Sequence, residues 1–104
     1  MLKWFEDLYV GENARKKVRH YIRQINRGKP LMDIYLITIA SNEANQLDII
    51  KSNYLLQPVV MRMCPMIVGI AKGYSEAQDL VIQMVEETLN KTGNADVRNY
   101  LLQR

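Results

Sequence analysis

The chain has 104 residues, of which 48% are hydrophobic and 24% charged, with a formal charge of +3. That length fits one domain, and the composition excludes a disordered tail, a collagen-like repeat and a disulfide scaffold. Cys64 is the only cysteine, so neither an internal disulfide nor a cysteine-built zinc cage can form.

The charge is unevenly spread. Seven cations and no acid lie between Arg15 and Lys29, whereas residues 30–104 carry six cations against eight acids. A basic N-terminal segment is thus joined to a mildly acidic body. Glu6 and Asp7 interrupt the opening stretch MLKWFEDLYV, which leaves no apolar core of a signal peptide. The longest apolar run, Ile34–Ala40, falls far short of the ~20 residues of a membrane span. The expectation is a cytoplasmic protein with no membrane partner.

In chain order, Trp4, Phe5, Leu8 and Tyr9 suggest a short apolar turn ahead of Gly11. From Glu12 to Arg27 the apolar positions Ala14, Val18, Tyr21, Ile22 and Ile25 have helical spacing, and Gly28 and Pro30 end the helix. IYLITIA, residues 34–40, is apolar at nearly every position and reads as a central strand covered on both faces. Ser41 and Asn42 offer cap oxygens for a short helix over 43–51 with Ala44, Leu47 and Ile50 inward. Asn53 would close that helix, with Pro58 beyond it. Val59–Met63 and Met66–Ala71 read as two strands of a hairpin turning at Cys64-Pro65, since proline cannot sit within a central ladder. Ser75-Glu76-Ala77-Gln78 has the form of a capping box and starts a helix that runs to Lys91, with Gly93 after it. Asp96–Leu102 forms a last short helix packing Val97, Tyr100 and Leu101.

The expected order is therefore α-β-α-β-β-α. It describes a single α/β (α+β) domain over residues 1–104, a three-stranded mixed sheet with helices packed on its faces. The β-α-β-β-α portion, with a proline before a strand, resembles in outline the second half of a thioredoxin-like fold. There is no Cys-x-x-Cys, so the resemblance implies no thiol–disulfide chemistry.

Catalytic chemistry finds little support. His20, the only histidine, lies in the basic helix with no carboxylate at helical spacing to orient it. Cys64 beside Pro65 reads as a buried structural thiol. One Cys and one His supply no metal-ligand spacing. No catalytic residue, metal or cofactor is assigned, and the balance leans against an enzyme.

Two places invite a ligand. Lys72-Gly73-Tyr74-Ser75 lies between a strand and a helix, where free N–H groups and the positive end of the helix dipole favour an anion. Lys72, Gly73 and Ser75 are candidate contacts for a small phosphorylated ligand. GIAKGYS nevertheless lacks the spacing of the known phosphate-binding glycine loops. A turn at Gly73 and a cap at Ser75 account for the same residues without one. Ser41-Asn42-Glu43 follows the central strand, where open sheets also bind ligands, but the expected topology puts it at the opposite edge from Lys72.

The second place is the stripe Arg15, Arg19, Arg23 and Arg27, spaced i,i+4. Each like-charged pair costs a helix about 0.2–0.5 kcal/mol. Apart from a merely solvated cationic face, a polyanion would repay that cost, and so would an acidic protein face. The outward Glu76, Asp79, Gln83, Glu86 and Glu87 supply such a face, within one molecule or across a dimer. Open sheet edges, six methionines, Trp4 and Phe5 favour a homodimer. The sequence thus points to a non-catalytic interaction module that self-associates. The alternatives are RNA or DNA binding through Arg15–Lys29 and a small phosphorylated ligand at Lys72–Ser75.

Overall fold

A computed structural model describes residues 1–42 and 44–103. The chain opens with strand β1 (Trp4–Val10), then passes through a 3-10 turn (Arg15–Lys17) into helix α1 (Val18–Asn26). Strands β2 (Ile34–Ile39) and β3 (Leu47–Lys51) follow, then a second 3-10 turn (Ser52–Leu56) and helix α2 (Pro58–Met63). Strand β4 (Ile67–Lys72) and helices α3 (Tyr74–Thr92) and α4 (Val97–Leu102) complete the described chain. The strands lie in the order β1-β4-β2-β3, with β1 parallel to β4 and β2 antiparallel to both of its neighbours.

This is a small α+β domain around a mixed sheet, with four strands instead of the expected three and a different element order. Tyr21 and Ile25 of α1 and Val60 and Met61 of α2 pack on one face, over Ile34, Leu36, Ile67 and Ile70. Ala77, Leu80 and Met84 of α3 and Val97 and Leu101 of α4 cover the other, over Ile37, Ile39, Val68 and Ala71. Sandwiched in this way, β2 and β4 are buried almost throughout, as apolar runs without alternation require.

The central strand, the long helix closed by Gly93 and the last short helix are present, and the helix ending near Gly28 is present from Val18 only, residues 12–17 forming turns instead. Gly93 takes the left-handed conformation and donates its N–H to Leu89 O, a standard helix stop. Four expectations are corrected. Residues 4–10 form a strand because Trp4, Leu8 and Val10 meet the α1 side while Phe5 and Tyr9 meet the α3 side. A register shift between Trp4 and Tyr9 absorbs the acidic pair between them. Residues 47–51 form a strand rather than a helix, in register against β2. Asn42 Oδ1 accepts the Ala44 N–H in the intervening turn, and Glu43 lies outside the described residues.

Residues 59–63 form a helix rather than a strand, because Pro58 occupies its first turn, where a missing N–H costs nothing. Cys64-Pro65 therefore links α2 to β4 instead of turning a hairpin, and no described peptide bond is cis. Finally, α3 begins at Tyr74 with Gly73 at its N-cap, so Ser75 caps nothing. With a strand where a helix was expected and the reverse, the half-thioredoxin outline does not hold.

Candidate functional site

The sheet carries α1 and α3 on opposite faces, and this decides where the charges meet. Arg19 and Arg23 lie on α1, Arg15 on the preceding 3-10 turn and Arg27 at the C-cap. Lys17, at φ −122° and ψ 22°, breaks the helix between Arg15 and Arg19, so the four arginines do not form one continuous stripe. All four are exposed, and among the described residues none is paired with a carboxylate. The Arg15 guanidinium makes a long bond of 3.5 Å to Val10 O.

The acidic face on α3 is narrower than its sequence suggests. Tyr9 and Tyr100 both donate their hydroxyls to Glu87 Oε2, which draws Glu87 inward. Glu76 is also taken up, while Asp79, Gln83 and Glu86 remain exposed. Pairing of Arg19 and Arg23 with that face inside one molecule is barred by the sheet between them. Arg15 alone reaches round the sheet's end, sharing a cleft of about 360 Å³ with Glu76, Asp79 and Gln83.

That end of the sheet is a topological switch point. β1 and β4 are parallel neighbours whose following helices leave to opposite faces, the place where open α/β sheets form ligand crevices. Lys72 lines a cleft of about 600 Å³ there with Glu12, Asn13, Lys16 and Asp33. Gly73, at φ 93° and ψ 145°, makes the positive-φ turn and donates its N–H to Asp33 O at 2.8 Å. The Ser75 side chain is exposed.

An internal carboxylate already sits in this crevice. Glu76 Oε1 accepts the Lys72 N–H at 2.9 Å and Oε2 the Asn13 N–H at 2.8 Å. The group bridges the loops that follow β4 and β1. Gly11 leaves the room: a Cβ there would stand 2.0 Å from Glu76 Oε1. An incoming phosphate has to compete with Glu76 for both amides. Ser41 lies at the far end of β2, which runs antiparallel to β4, so it does not join Lys72 in one pocket.

The other candidates are plain in outcome. His20 is exposed, its ring 5.9 Å from that of Tyr21. Cys64 is half-buried, its Sγ is 3.3 Å from Pro65 O, and burial pushes its thiol pKa up. Among the described residues no three His, Cys, Asp or Glu side chains gather to hold a metal, and no helix is long and apolar enough to cross a membrane.

Sequence reasoning missed one of the sheet's two open edges, the outer edge of β3. Ala40 N donates to Gln46 O at 3.2 Å, and the ladder continues in register with Thr38 opposite Asp48 and Leu36 opposite Ile50. By antiparallel alternation the N–H and C=O groups of Asp48 and Ile50 face β2, while those of Leu47, Ile49 and Lys51 face outward. Leu47 and Ile49 carry half-buried apolar side chains. The alternation in Leu47-Asp48-Ile49 was the available signal, at three residues too short to outweigh a helical reading. No family model matches this chain, and comparison with curated proteins and with solved structures likewise finds no match.

Proposed function

We propose that this chain is a non-catalytic interaction module that self-associates by joining the β3 edges of two copies across a two-fold axis. The observation that carries the reading is the asymmetry of the sheet's two edges. β1 is guarded by Glu6, Asp7 and a register shift, the devices that deter edge pairing. β3 is regular along its whole length and apolar at three of its five positions. With Ile49 opposite Ile49 of the second copy, Leu47 meets Lys51 on either side, and every outward backbone group of Leu47, Ile49 and Lys51 finds a partner.

Sedimentation at micromolar concentration tests this, with a dimer of twice 12.1 kDa expected. Ile49→Pro deletes an outward N–H and leaves the β2–β3 ladder its bonds, a position where edge strands tolerate proline. The variant is expected to be folded and monomeric. A wild-type chain that sediments only as a monomer overturns the reading.

Polyanion binding is the second reading, favoured by the exposed Arg15, Arg19, Arg23 and Arg27, which have no carboxylate partner among the described residues. RNA or DNA held there would lose affinity log-linearly with salt as counterions are released. The triple change Arg15→Gln, Arg19→Gln, Arg23→Gln would abolish binding and leave dimerisation through β3 untouched. No binding of a mixed RNA pool at low salt removes this reading.

A further inference from the structure

Between α2 and the sheet lies a cavity of about 270 Å³ with apolar walls that include Ile50, Val59, Val60 and Met63. Four oxygen-bearing side chains, Thr38, Ser41, Asp48 and Tyr54, line the same space. Thr38 and Asp48 are direct cross-strand neighbours, which puts their Cβ atoms roughly 5 Å apart. Thr38 is 2% exposed, yet its hydroxyl has no hydrogen-bond partner among the described residues. Among the described residues the one fully buried side-chain oxygen without a partner is Ser52 Oγ, so the Thr38 hydroxyl keeps access to the space it lines, beside the Asp48 carboxylate. Asp48 is likewise without an ion-pair partner among the described residues.

We infer that this cavity is a binding site for a small primary ammonium compound with an apolar body. The chemistry follows from the lining. The Asp48 carboxylate is an acceptor only, and the Thr38 and Ser41 hydroxyls can accept as well. An –NH3⁺ group brings three donors and no acceptor, and so suits a lining whose polar side chains can all accept. Among the described residues no Lys, Arg or His lines the cavity, which disfavours an anion beside Asp48. The apolar walls take an alkyl or aryl body. Tyr54, half exposed, adds an aromatic side chain to the lining. A polar end group inside a mostly apolar cleft is the usual composition of a small-molecule site. The inference is independent of dimerisation, because the Asp48 side chain lies on the α2 side while the β3 edge pairs through its backbone.

The test is an amide chemical-shift titration of the full chain at neutral pH with 2-phenylethylammonium and, separately, 2-phenylethanol. The two differ only in the head group. A ligand of about nine heavy atoms is expected to bind in the millimolar range, shifting amides at Thr38, Asp48, Val60 and Cys64. The ammonium should bind about tenfold more tightly than the alcohol, as a charged hydrogen bond outweighs a neutral one. Asp48→Asn should bring the two to equal affinity, and Thr38→Val should weaken the ammonium several-fold while sparing the alcohol's apolar contacts. Equal affinities for the wild type, shifts confined to another region, or no shifts at all each overturn the proposal. The wild-type comparison decides even if a variant fails to fold.

Discussion

Single side chains set the tolerances of this fold. The Ser52 hydroxyl is buried without a hydrogen-bond partner among the described residues, and an unmet buried polar group costs about 1–3 kcal/mol. Ser52→Ala should therefore raise stability by about 1 kcal/mol in urea unfolding, where a serine-to-alanine change on a satisfied hydroxyl would lower it. Gly11 needs no unusual backbone, only space for the Glu76 carboxylate. Gly11→Ala should cost about 1–2 kcal/mol by expelling a group that accepts two amide bonds. In a Glu76→Ala background the same change should cost much less, a coupling that a double-mutant cycle reads directly.

Cys64 adds a pH dependence. Burial raises its pKa by disfavouring the thiolate. The folded-state value thus lies above the unfolded one. The resulting stability is complete below the unfolded value and is lost as pH rises through the folded one. Alkylation of native Cys64 at mildly alkaline pH should be slower than that of a free thiol, and Cys64→Ala should flatten the alkaline fall in stability.

At the scale of elements, what could be read from sequence followed from the length of the signal. α1 and α3 repeat their apolar positions over several turns, and glycines stop them. β2 is apolar on both faces because helices cover both. The short elements carried too few periods. Ala44, Leu47 and Ile50 fit a helix as well as Leu47–Lys51 fits a strand, and the pairing with β2 decided it. Val59-Val60-Met61 is strand-like in propensity, but Pro58 starts a helix there. Of the candidate ligand loop, the Gly73 turn was legible. The claim of Glu76 on two amides was not, since Asn13 lies far away in the chain. α1 supplies an element-level prediction. Arg19→Gln with Arg23→Gln removes an i,i+4 repulsion and should raise the melting temperature slightly, whereas a loss of stability would mean that these arginines have partners in solution.

For the molecule as a whole, sheet order ranks the backbone by protection. β4 and β2 lie inside the sheet and β1 and β3 at its edges. Amide hydrogen exchange should be slowest in β2 and β4, whose opening requires that both helix layers separate. The outward amides of Leu47, Ile49 and Lys51 should exchange quickly in dilute protein and become protected as concentration rises. Protection that does not change with concentration would argue against the paired β3 edge.

The parallel pairing of β1 with β4 also fixes an order of events. Trp4 meets Ile67 across the sheet, so β1, once it has left a ribosome, waits for about sixty more residues before its neighbour exists. The β2–β3 hairpin is local and closes early, while the β1–β4 junction carries the largest loop-closure cost and comes late. Trp4 is the only tryptophan and sits on that late strand, its indole N–H bound to Asn26 Oδ1 at 2.8 Å. In a refolding experiment its fluorescence therefore reports completion: it should lag behind the recovery of helical signal, and a nascent chain stalled before Ile67 should hold Trp4 in water.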